Sequence, residues 1–508
     1  MRKINTYEKS REAYNRAVKV IPSGIYGHQG PAEGCYIPVE AFPLYSSKAQ
    51  GTYLWDLDGN RFIDYMCAYG PNVLGYHDPD VDAAAARQRA ISDCTTLPNT
   101  VMIDFADLLV DTVACADWAF FAKNGGDTTT LAIMTARAYT HRKKIVFFKG
   151  YYHGVAPWTQ KIDYAGVIEE DVMHNLYCEW NNFEQLAEIF DRYKGEIAAV
   201  IAQPYMHGNF MDNQLPAKGF WQKVRKLCTK TDTVLIVDDV RAGFRLDLAG
   251  SDHYFGFEAD LICFCKALAN GYNVSALCGK EYLKNTVSSI SYTGSYWMSA
   301  VPFAAGIACI EKMKRLDLPK LLIEKGTKLS GGLTAAAIKH GFDLRVTGIP
   351  SLFYLRLADE PTLKLHQEWI AECVLRGVFF TNHHNHFINY ALSDADSFHL
   401  VELVKLVNTG TNGLEVGKST TEPSFVHVEH TTTFCFLLDS FFSLLFLTYE
   451  KNVLAFGCYF VDELVCFFYK VNGKLKIDNV NIVSCIVNVL AHLGVPFLGL
   501  VSEVNACF

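Results

Sequence analysis

Short apolar runs alternate with longer, helix-like segments between about residues 80 and 310 of this 508-residue chain. Because almost every position in these runs is apolar, we expect each run to be a strand that is buried on both faces. Such strands occur in mostly parallel sheets that helices cover on both sides. The sequence therefore predicts an α/β fold with a large, mostly parallel sheet, whose strands we place at 119–122, 144–148, 197–202, 234–237 and 261–265.

Changes in character divide the chain into four parts. We expect residues 1–70 to be an N-terminal segment that contributes to a smaller domain, and an amphipathic helix over 7–20 to open it. Residues 71–314 hold the large sheet, and residues 315–408 are predicted to form a small α+β domain. Residues 409–508 begin with a linker rich in Gly, Ser and Thr and continue as an apolar, aromatic extension that we leave unassigned.

The composition excludes several classes of protein. A formal net charge of −8 and a pI near 6.1 argue against nucleic acid or an anionic membrane as a partner. The charged N-terminus lacks the apolar core of a secretory signal, and no run of about 18 apolar residues could span a bilayer. The 16 cysteines include no C-x-x-C pair, which favours buried, reduced thiols. We therefore expect a soluble cytoplasmic protein.

A lone lysine, Lys266, directly follows the apolar run at 261–265 and precedes A-L-A-N-G. Burial penalises the charged form of a lysine, so an ammonium in such a place loses its proton easily. The neutral amine is a nucleophile toward carbonyl groups. Position alone favours a surface lysine at a strand end whose charged tip reaches water, so the rest of the sequence has to decide.

A second feature is the turn Asn124-Gly125-Gly126, where an apolar strand runs into a helix. Glycines at a helix N-terminus allow backbone N–H groups to approach a phosphate, and the helix dipole favours its negative charge. Many ordinary strand-to-helix turns also contain two glycines. The turn is therefore a candidate phosphate site that needs support from the rest of the chain.

Polar groups also follow two other apolar runs. Asp238 and Asp239 end the run at 234–237 and could bind a cationic heterocycle through a charge-assisted hydrogen bond, or simply cap a turn. Tyr152 and His153 follow the run at 144–148 and could stack on a flat ring, or pack in a core. These groups, the glycine turn and a desolvated lysine would together bind pyridoxal 5'-phosphate (PLP), at the carboxyl ends of the strands.

The order of these motifs resembles the class III, fold-type I aminotransferases, especially the group around glutamate-1-semialdehyde aminomutase. The resemblance extends from about residue 15 to about residue 408. It includes Y-L-W-D-L-D-G-N-R-F-I-D-Y, G-P-N-V-L-G-Y-H-D-P, Y-H-G and D-D-V-R-A-G-F-R, and the lysine 28 positions after Asp238. It implies a large PLP-binding domain over residues 71–314, with residues 1–70 contributing to the active-site entrance.

The resemblance also implies a role for each site residue. Lys266 would form the Schiff base with PLP, Asp238 would pair with the pyridine nitrogen, and Tyr152 would stack on the ring with His153 beside it. Asn124, Gly125 and Gly126 occupy the place of the family's Ser-Gly-Thr phosphate turn, and Asp127 the place of its following Glu.

Two further implications concern the partner subunit and the substrate. Ser295 stands where the family has a threonine hydroxyl that reaches the partner's phosphate, so a homodimer is implied. Lys123 stands where asparagine is common and could offer a charge to the phosphate. The segment I-P-S-G-I-Y-G-H-Q-G lacks the arginine that meets a substrate carboxylate in the aminomutases, which counts against glutamate-1-semialdehyde. Tyr26 and His28 of that segment are our candidates for substrate contact.

We predict transamination between a small amino donor and an aldehyde or keto acceptor, with Lys266 as general base and then acid. The same groups could support a 1,2-aminomutase of the glutamate-1-semialdehyde type, a racemase or an ammonia-lyase, because the choice depends on substrate geometry. A catalytically silent PLP-binding protein is a further alternative, since the phosphate turn is altered. The string H-H-N-H-F at 383–387 has no carboxylate or thiol pattern around it, and we predict no metal site.

Overall fold

The computed structural model describes residues 4–25, 41–358 and 364–408. The chain divides into two units, Met1–Lys418 and Ser419–Phe508. The second unit and the whole of the predicted extension at 409–508 lie outside the described residues. The predicted boundaries at 70, 314 and 408 stay a prediction.

The helices and strands of the described residues alternate along the first unit. The helices are α1 (Glu8–Ala17), α2 (Pro79–Ile91), α3 (Val101–Thr112), α4 (Gly125–Thr140), α5 (Glu169–Val172), α6 (Phe183–Arg192), α7 (Phe220–Lys230), α8 (Ser251–Tyr254), α9 (Glu281–Ser288), α10 (Ala300–Leu316), α11 (Leu318–His340), α12 (Lys364–Leu375) and α13 (Asp394–Leu403). The strands are β1 (Ser46–Gln50), β2 (Tyr53–Asp56), β3 (Arg61–Asp64), β4 (Trp118–Ala122), β5 (Lys144–Phe148), β6 (Asn175–Cys178), β7 (Ile197–Ala202), β8 (Val234–Asp238), β9 (Leu261–Phe264), β10 (Ser275–Gly279), β11 (Leu344–Ile349), β12 (Leu352–Leu357), β13 (Val378–Phe379) and β14 (His386–Phe387).

The largest sheet in the described part of the chain has seven strands in the order β4-β10-β9-β8-β7-β5-β6. The strands from β6 to β9 pair in parallel, and β10 lies antiparallel between β4 and β9. The predicted α/β fold with a mostly parallel sheet is confirmed. The sequence reading missed β6 and β10, because N-L-Y-C and S-A-L-C-G lack the apolar continuity of the other strands. It also ran one residue too far at 261–265, since β9 ends at Phe264.

Side chains of the central strands alternate between two helical layers, as the period of a strand requires. Ile236 of β8 packs in one buried cluster with Leu131 of α4. Its neighbour Leu235 packs in another with Trp221 of α7. Both faces of the sheet are therefore covered, which explains why its strands are apolar at successive positions.

A second sheet, of order β1-β2-β3-β13, joins strands from the N-terminal part of the chain to one from near residue 378. The hairpin of β2 and β3 turns at Gly59, whose φ is +84°, and β3 pairs in parallel with β13. A third sheet has the order β11-β12-β14. These pairings bring the stretch after β3 close to the stretch after β13. No helix among the described residues is long and apolar enough to cross a membrane, and their cysteines are all free thiols.

Candidate active site

Lys266 lies two residues beyond β9 and begins a short 3-10 turn, Lys266–Ala269. Its φ is +38°, a left-handed conformation that costs free energy for any residue with a Cβ atom. Its Nζ donates a hydrogen bond to the carbonyl oxygen of Tyr69 at 3.0 Å. Tyr69 belongs to the turn 67–70, in which all four residues have positive φ. Strained backbone of this kind persists where surrounding structure holds it, and it is common at functional sites.

The ammonium group of Lys266 is in an unfavourable environment. The pKa of Lys266 is lowered to about 8, mainly because the amine is buried. The positive charge of Arg241 is the next largest cause, and Arg245 contributes as well. A lysine in this state releases its proton far more easily than a lysine in water, whose pKa is about 10.4. This is the environment of a desolvated lysine, one of the two alternatives that the position of Lys266 in the sequence left open. The predicted role of Lys266 stays a prediction, supported by this environment.

Asp238 ends β8 and is buried with His153. The Nδ1 atom of His153 lies 2.6 Å from Oδ2 of Asp238, and the backbone N–H of Val240 donates to Oδ1 at 3.1 Å. The ring of His153 stacks on that of Tyr151, with centroids 5.0 Å apart. Tyr152 has a partly exposed ring, and the charges of Arg241 and Asp238 both act on its hydroxyl.

The glycine turn 124–126 begins α4, and its backbone is closely packed on one side. The carboxylate of Asp127 accepts hydrogen bonds from the N–H groups of Asn124, at 2.7 Å, and Lys123, at 3.2 Å. A Cβ atom added to Gly154 would lie 2.8 Å from Cα of Gly126. A Cβ added to Gly126 itself would meet nothing nearer than 3.7 Å. Space therefore remains beside the N–H groups that begin the helix.

Direct contacts connect these parts. The stretch at 153–154 touches both Asp238 and the glycine turn. A Cβ added to Gly125 would lie 2.8 Å from the methyl groups of Val240, and the thiol of Cys265 lies 3.8 Å from the carbonyl oxygen of Lys123. The arrangement offers a buried carboxylate for a ring nitrogen, helix N–H groups for a phosphate and an amine for an aldehyde. These residues fit PLP.

Other predicted site residues have different outcomes. Ser295 is exposed on the segment before α10, and its carbonyl oxygen lies 3.6 Å from the thiol of Cys94. Its proposed target belongs to a partner subunit and stays a prediction. Tyr26 and His28 lie outside the described residues. Lys123 is buried, which lowers its pKa, and Asp93 and Cys94 act on it in the opposite direction.

The sequence reading missed several polar groups around Lys266. Arg241 is buried, and its Nη1 donates to the carbonyl oxygen of His207 at 2.6 Å. His384 is also buried, with its ring 5.1 Å from that of Tyr69. The signals were present, because Arg241 lies in D-D-V-R-A-G-F-R and His384 in H-H-N-H-F. In the described residues, no group of three or more His, Cys, Asp or Glu could hold a metal.

Comparison with known proteins decides the family. The family model described as "Aminotransferase class-III" matches residues 36–393. The chain belongs to the class III aminotransferases. Class III aminotransferases carry PLP, and this chain is a PLP-dependent transaminase, so the predicted family, fold, cofactor and main reaction are confirmed.

Two relatives place this aminotransferase more closely. It is 40% identical to an aminopentol aminotransferase of Sphingopyxis macrogoltabida over 383 residues, which cover 75% of this chain and 90% of the relative. The FumI protein of Sphingopyxis sp. MTA144, solved in its PLP internal aldimine form, is 38% identical with a TM-score of 0.77. That match covers 79% of this chain and 97% of FumI.

The predicted likeness to the glutamate-1-semialdehyde aminomutases is a likeness of fold. A structure of such an aminomutase from Pseudomonas aeruginosa has a TM-score of 0.71 but only 20% identity, with 79% of this chain and 94% of that one covered. The sequence of this aminotransferase is thus much more similar to that of the aminopentol aminotransferase, at 40% identity.

Proposed function

We propose that Lys266 holds PLP covalently and moves protons during transamination. When bound, PLP supplies an electron sink for the pair of electrons that the substrate carbon keeps when it loses a proton. Because its pKa is lowered to about 8, about a tenth of the Lys266 amine is neutral at pH 7 and can accept a proton, far more than for a lysine in water. The carbonyl oxygen of Tyr69, 3.0 Å from Nζ, fixes the position of the amine.

We propose further that Asp238 keeps the cofactor's ring nitrogen protonated. A carboxylate with little exposure to water, held by His153 at 2.6 Å, is a strong partner for a cationic N–H group. Tyr152 would cover one face of the ring with His153 beside it. The N–H groups of the turn 124–126 would bind the phosphate at the positive end of the dipole of α4.

The assembly and location that we propose are a cytoplasmic homodimer in which Ser295 reaches the partner's phosphate. Exposure of Ser295 supports this assembly, together with the exposed ring of Tyr296 beside it. Free, mostly buried thiols in the described residues support a reducing compartment. A measured mass of one subunit in solution would contradict the dimer.

For the substrates, we propose an amine that carries hydroxyl groups as the donor, and an aldehyde or keto acid as the acceptor. The support is the 40% identity to a relative named aminopentol aminotransferase. We propose that the partners are these small molecules alone, and that neither nucleic acid nor a membrane binds.

The single observation that carries the proposal is the perturbed amine of Lys266 beside the Asp238–His153 pair, and an absorption spectrum tests it. The purified protein should be yellow, hydroxylated amines should bleach the colour, and a keto acid should restore it. Lys266→Ala should remove both the colour and the response. Lys325→Ala is the matched control, because Lys325 Nζ also donates to a backbone carbonyl, of Tyr390 at 2.9 Å, and should stay yellow. A Lys266→Ala protein that still transaminates would overturn the assignment.

A further inference from the structure

The segment 381–387 contributes a side chain to the surroundings of Lys266, although it lies in the small C-terminal part of the chain. Nζ of Lys266 donates to the carbonyl oxygen of Tyr69, and the ring of Tyr69 lies edge-on to that of His384, with centroids 5.1 Å apart. A Cβ atom added to Gly70 would lie 2.9 Å from the ring of Phe387 and 3.3 Å from Cδ of Lys266. The segment therefore packs directly against the turn whose carbonyl oxygen accepts from the reactive amine.

The protonation state of His384 follows from its contacts. Its Nδ1 lies 2.8 Å from the carbonyl oxygen of Asn385, and because a carbonyl oxygen only accepts, Nδ1 must carry the hydrogen. The pKa of His384 lies well below its ordinary value, mainly because the ring is buried. The positive charge of Arg241 is the next largest cause, and Lys266 contributes as well. The ring is therefore neutral, and its Nε2 is a hydrogen-bond acceptor.

Hydrogen bonds from Asn385 fix the position of this ring. Nδ2 of Asn385 donates to the carbonyl oxygens of His207, at 3.2 Å, and Gly208, at 3.1 Å. Arg241 donates to the same oxygen of His207 at 2.6 Å. One backbone carbonyl thus positions both the guanidinium that acts on Lys266 and the loop that carries His384. In the described part of the chain, the His384 ring makes one hydrogen bond, through Nδ1, so Nε2 has its acceptor capacity left.

We propose that His384 is a specificity-determining residue that accepts a hydrogen bond from a hydroxyl group on the carbon next to the amine. The inference rests on the proposed function, and it narrows the donor to vicinal amino alcohols. A hydroxyl satisfies the lone pair of Nε2, whereas an alkyl group at that place leaves a buried polar atom unpaired. A substrate with a carboxylate in place of that hydroxyl would be repelled, because its negative oxygen would face the lone pair of Nε2.

The test compares two donors that differ only in the hydroxyl, 3-aminobutan-2-ol and butan-2-amine, on the purified holoenzyme with a keto acid acceptor. We expect kcat/KM to favour the amino alcohol by roughly tenfold, the size of one well-formed hydrogen bond. His384→Phe should abolish the preference by lowering kcat/KM for the amino alcohol alone. His384→Gln, whose amide oxygen can accept, should restore part of it. The cofactor colour should be unchanged in both variants.

His253→Phe is the control, since His253 is exposed and paired with Asp247 at 2.7 Å, and it should keep the wild-type preference. Equal kcat/KM for the two amines in the wild-type enzyme would overturn the inference while leaving transamination intact. A similar loss for both amines in both His384 variants would overturn it too, because it would show a purely structural role. If no amine bleached the yellow wild-type protein, the proposed function itself would fail.

Discussion

Two faces of the active site are built in different ways. The first face comes from the ends of the central strands and carries Lys266, Asp238 and the turn 124–126, each within a few residues of a strand. The second comes from the turn 67–70 and the segment 381–387, where Cys67 and Phe387 touch although they are 320 residues apart. In our proposal the first face holds the cofactor. In our proposal the second selects the substrate, as connecting segments do when a rigid sheet positions them.

The largest expected effect falls on the first face, in Asp238→Asn. The substitution replaces a buried, hydrogen-bonded carboxylate with a neutral amide, and such losses cost about 2–5 kcal/mol. We expect kcat to fall by roughly 100- to 1,000-fold, with a smaller effect on the KM of the donor. Steady-state rates with a hydroxylated amine and a keto acid measure the change.

Asp239→Asn is the matched control for that prediction. Asp239 is the adjacent buried carboxylate, but it accepts from Ser251, at 2.6 Å from the hydroxyl and 2.9 Å from the N–H. Its kcat should remain within a few-fold of the wild-type value. If both variants lost activity equally, the loss would reflect folding and the special role of Asp238 would be refuted.

The glycine turn comes next. Gly154 has a φ of +112°, and its added Cβ would lie 2.8 Å from Cα of Gly126. Gly154→Ala should therefore push the phosphate turn aside and weaken PLP binding by more than about tenfold, which a titration of the apoprotein followed by absorbance would measure. Gly166→Ala supplies the comparison, because Gly166 also has positive φ, +83°, with no atom within 4 Å of an added Cβ. It should lose only about 1 kcal/mol of stability and bind PLP normally.

The sequence was sufficient for the first face because its residues follow apolar runs directly. Lys266 and Asp238 could be found since a charged residue stands out at the end of a buried strand, and the order of motifs then identified the family. The second face could not be found in this way. Tyr69 and His384 meet because β3 pairs in parallel with β13 and Phe387 donates to the carbonyl oxygen of Tyr65, and no local sequence pattern predicts these pairings. Cys67 and Tyr69 adopt a left-handed φ although neither is a glycine, so the sequence does not predict their conformation.

Arg241 links the two faces, and its removal should change a pH dependence. Lys266 has a pKa of about 8 in the folded protein, below its value of about 10.4 in the unfolded chain. The rate at which the apoprotein takes up PLP should rise with pH, with a midpoint near pH 8, and should level off about one unit higher. Arg241→Met removes a positive neighbour, so the midpoint should move upward by a fraction of a unit to about one unit.

The sign of the linked effect on stability also follows. Between about pH 8 and pH 10.4 the unfolded chain binds more protons at Lys266 than the folded apoprotein, so this residue makes stability rise with pH in that window. Arg241→Met should reduce the rise. Arg225→Met is the control, since Arg225 pairs with Asp260 at 2.8 Å. An unchanged midpoint in Arg241→Met would show that the guanidinium does not act on the amine.

The smallest effect is expected for Asn385→Ala on the second face. The change removes two hydrogen bonds to the carbonyl oxygens of His207 and Gly208, so the His384 ring loses its fixed position while PLP keeps all its contacts. We expect the preference for an amino alcohol over the matching amine to fall about threefold, and the yellow colour to be retained.

Asn389→Ala separates this effect from a general loss of stability. Asn389 is a buried asparagine four residues further on, and its Nδ2 donates to Oγ1 of Thr52 at 3.2 Å and to Sγ of Cys67, in the turn 67–70, at 3.3 Å. Both variants should lose about 1–3 kcal/mol of stability, because each leaves buried groups unpaired. Only Asn385→Ala should lose selectivity between the two amines. If Asn389→Ala lost it equally, selectivity would depend on the rigidity of the whole segment, and the placement of one imidazole would not explain it.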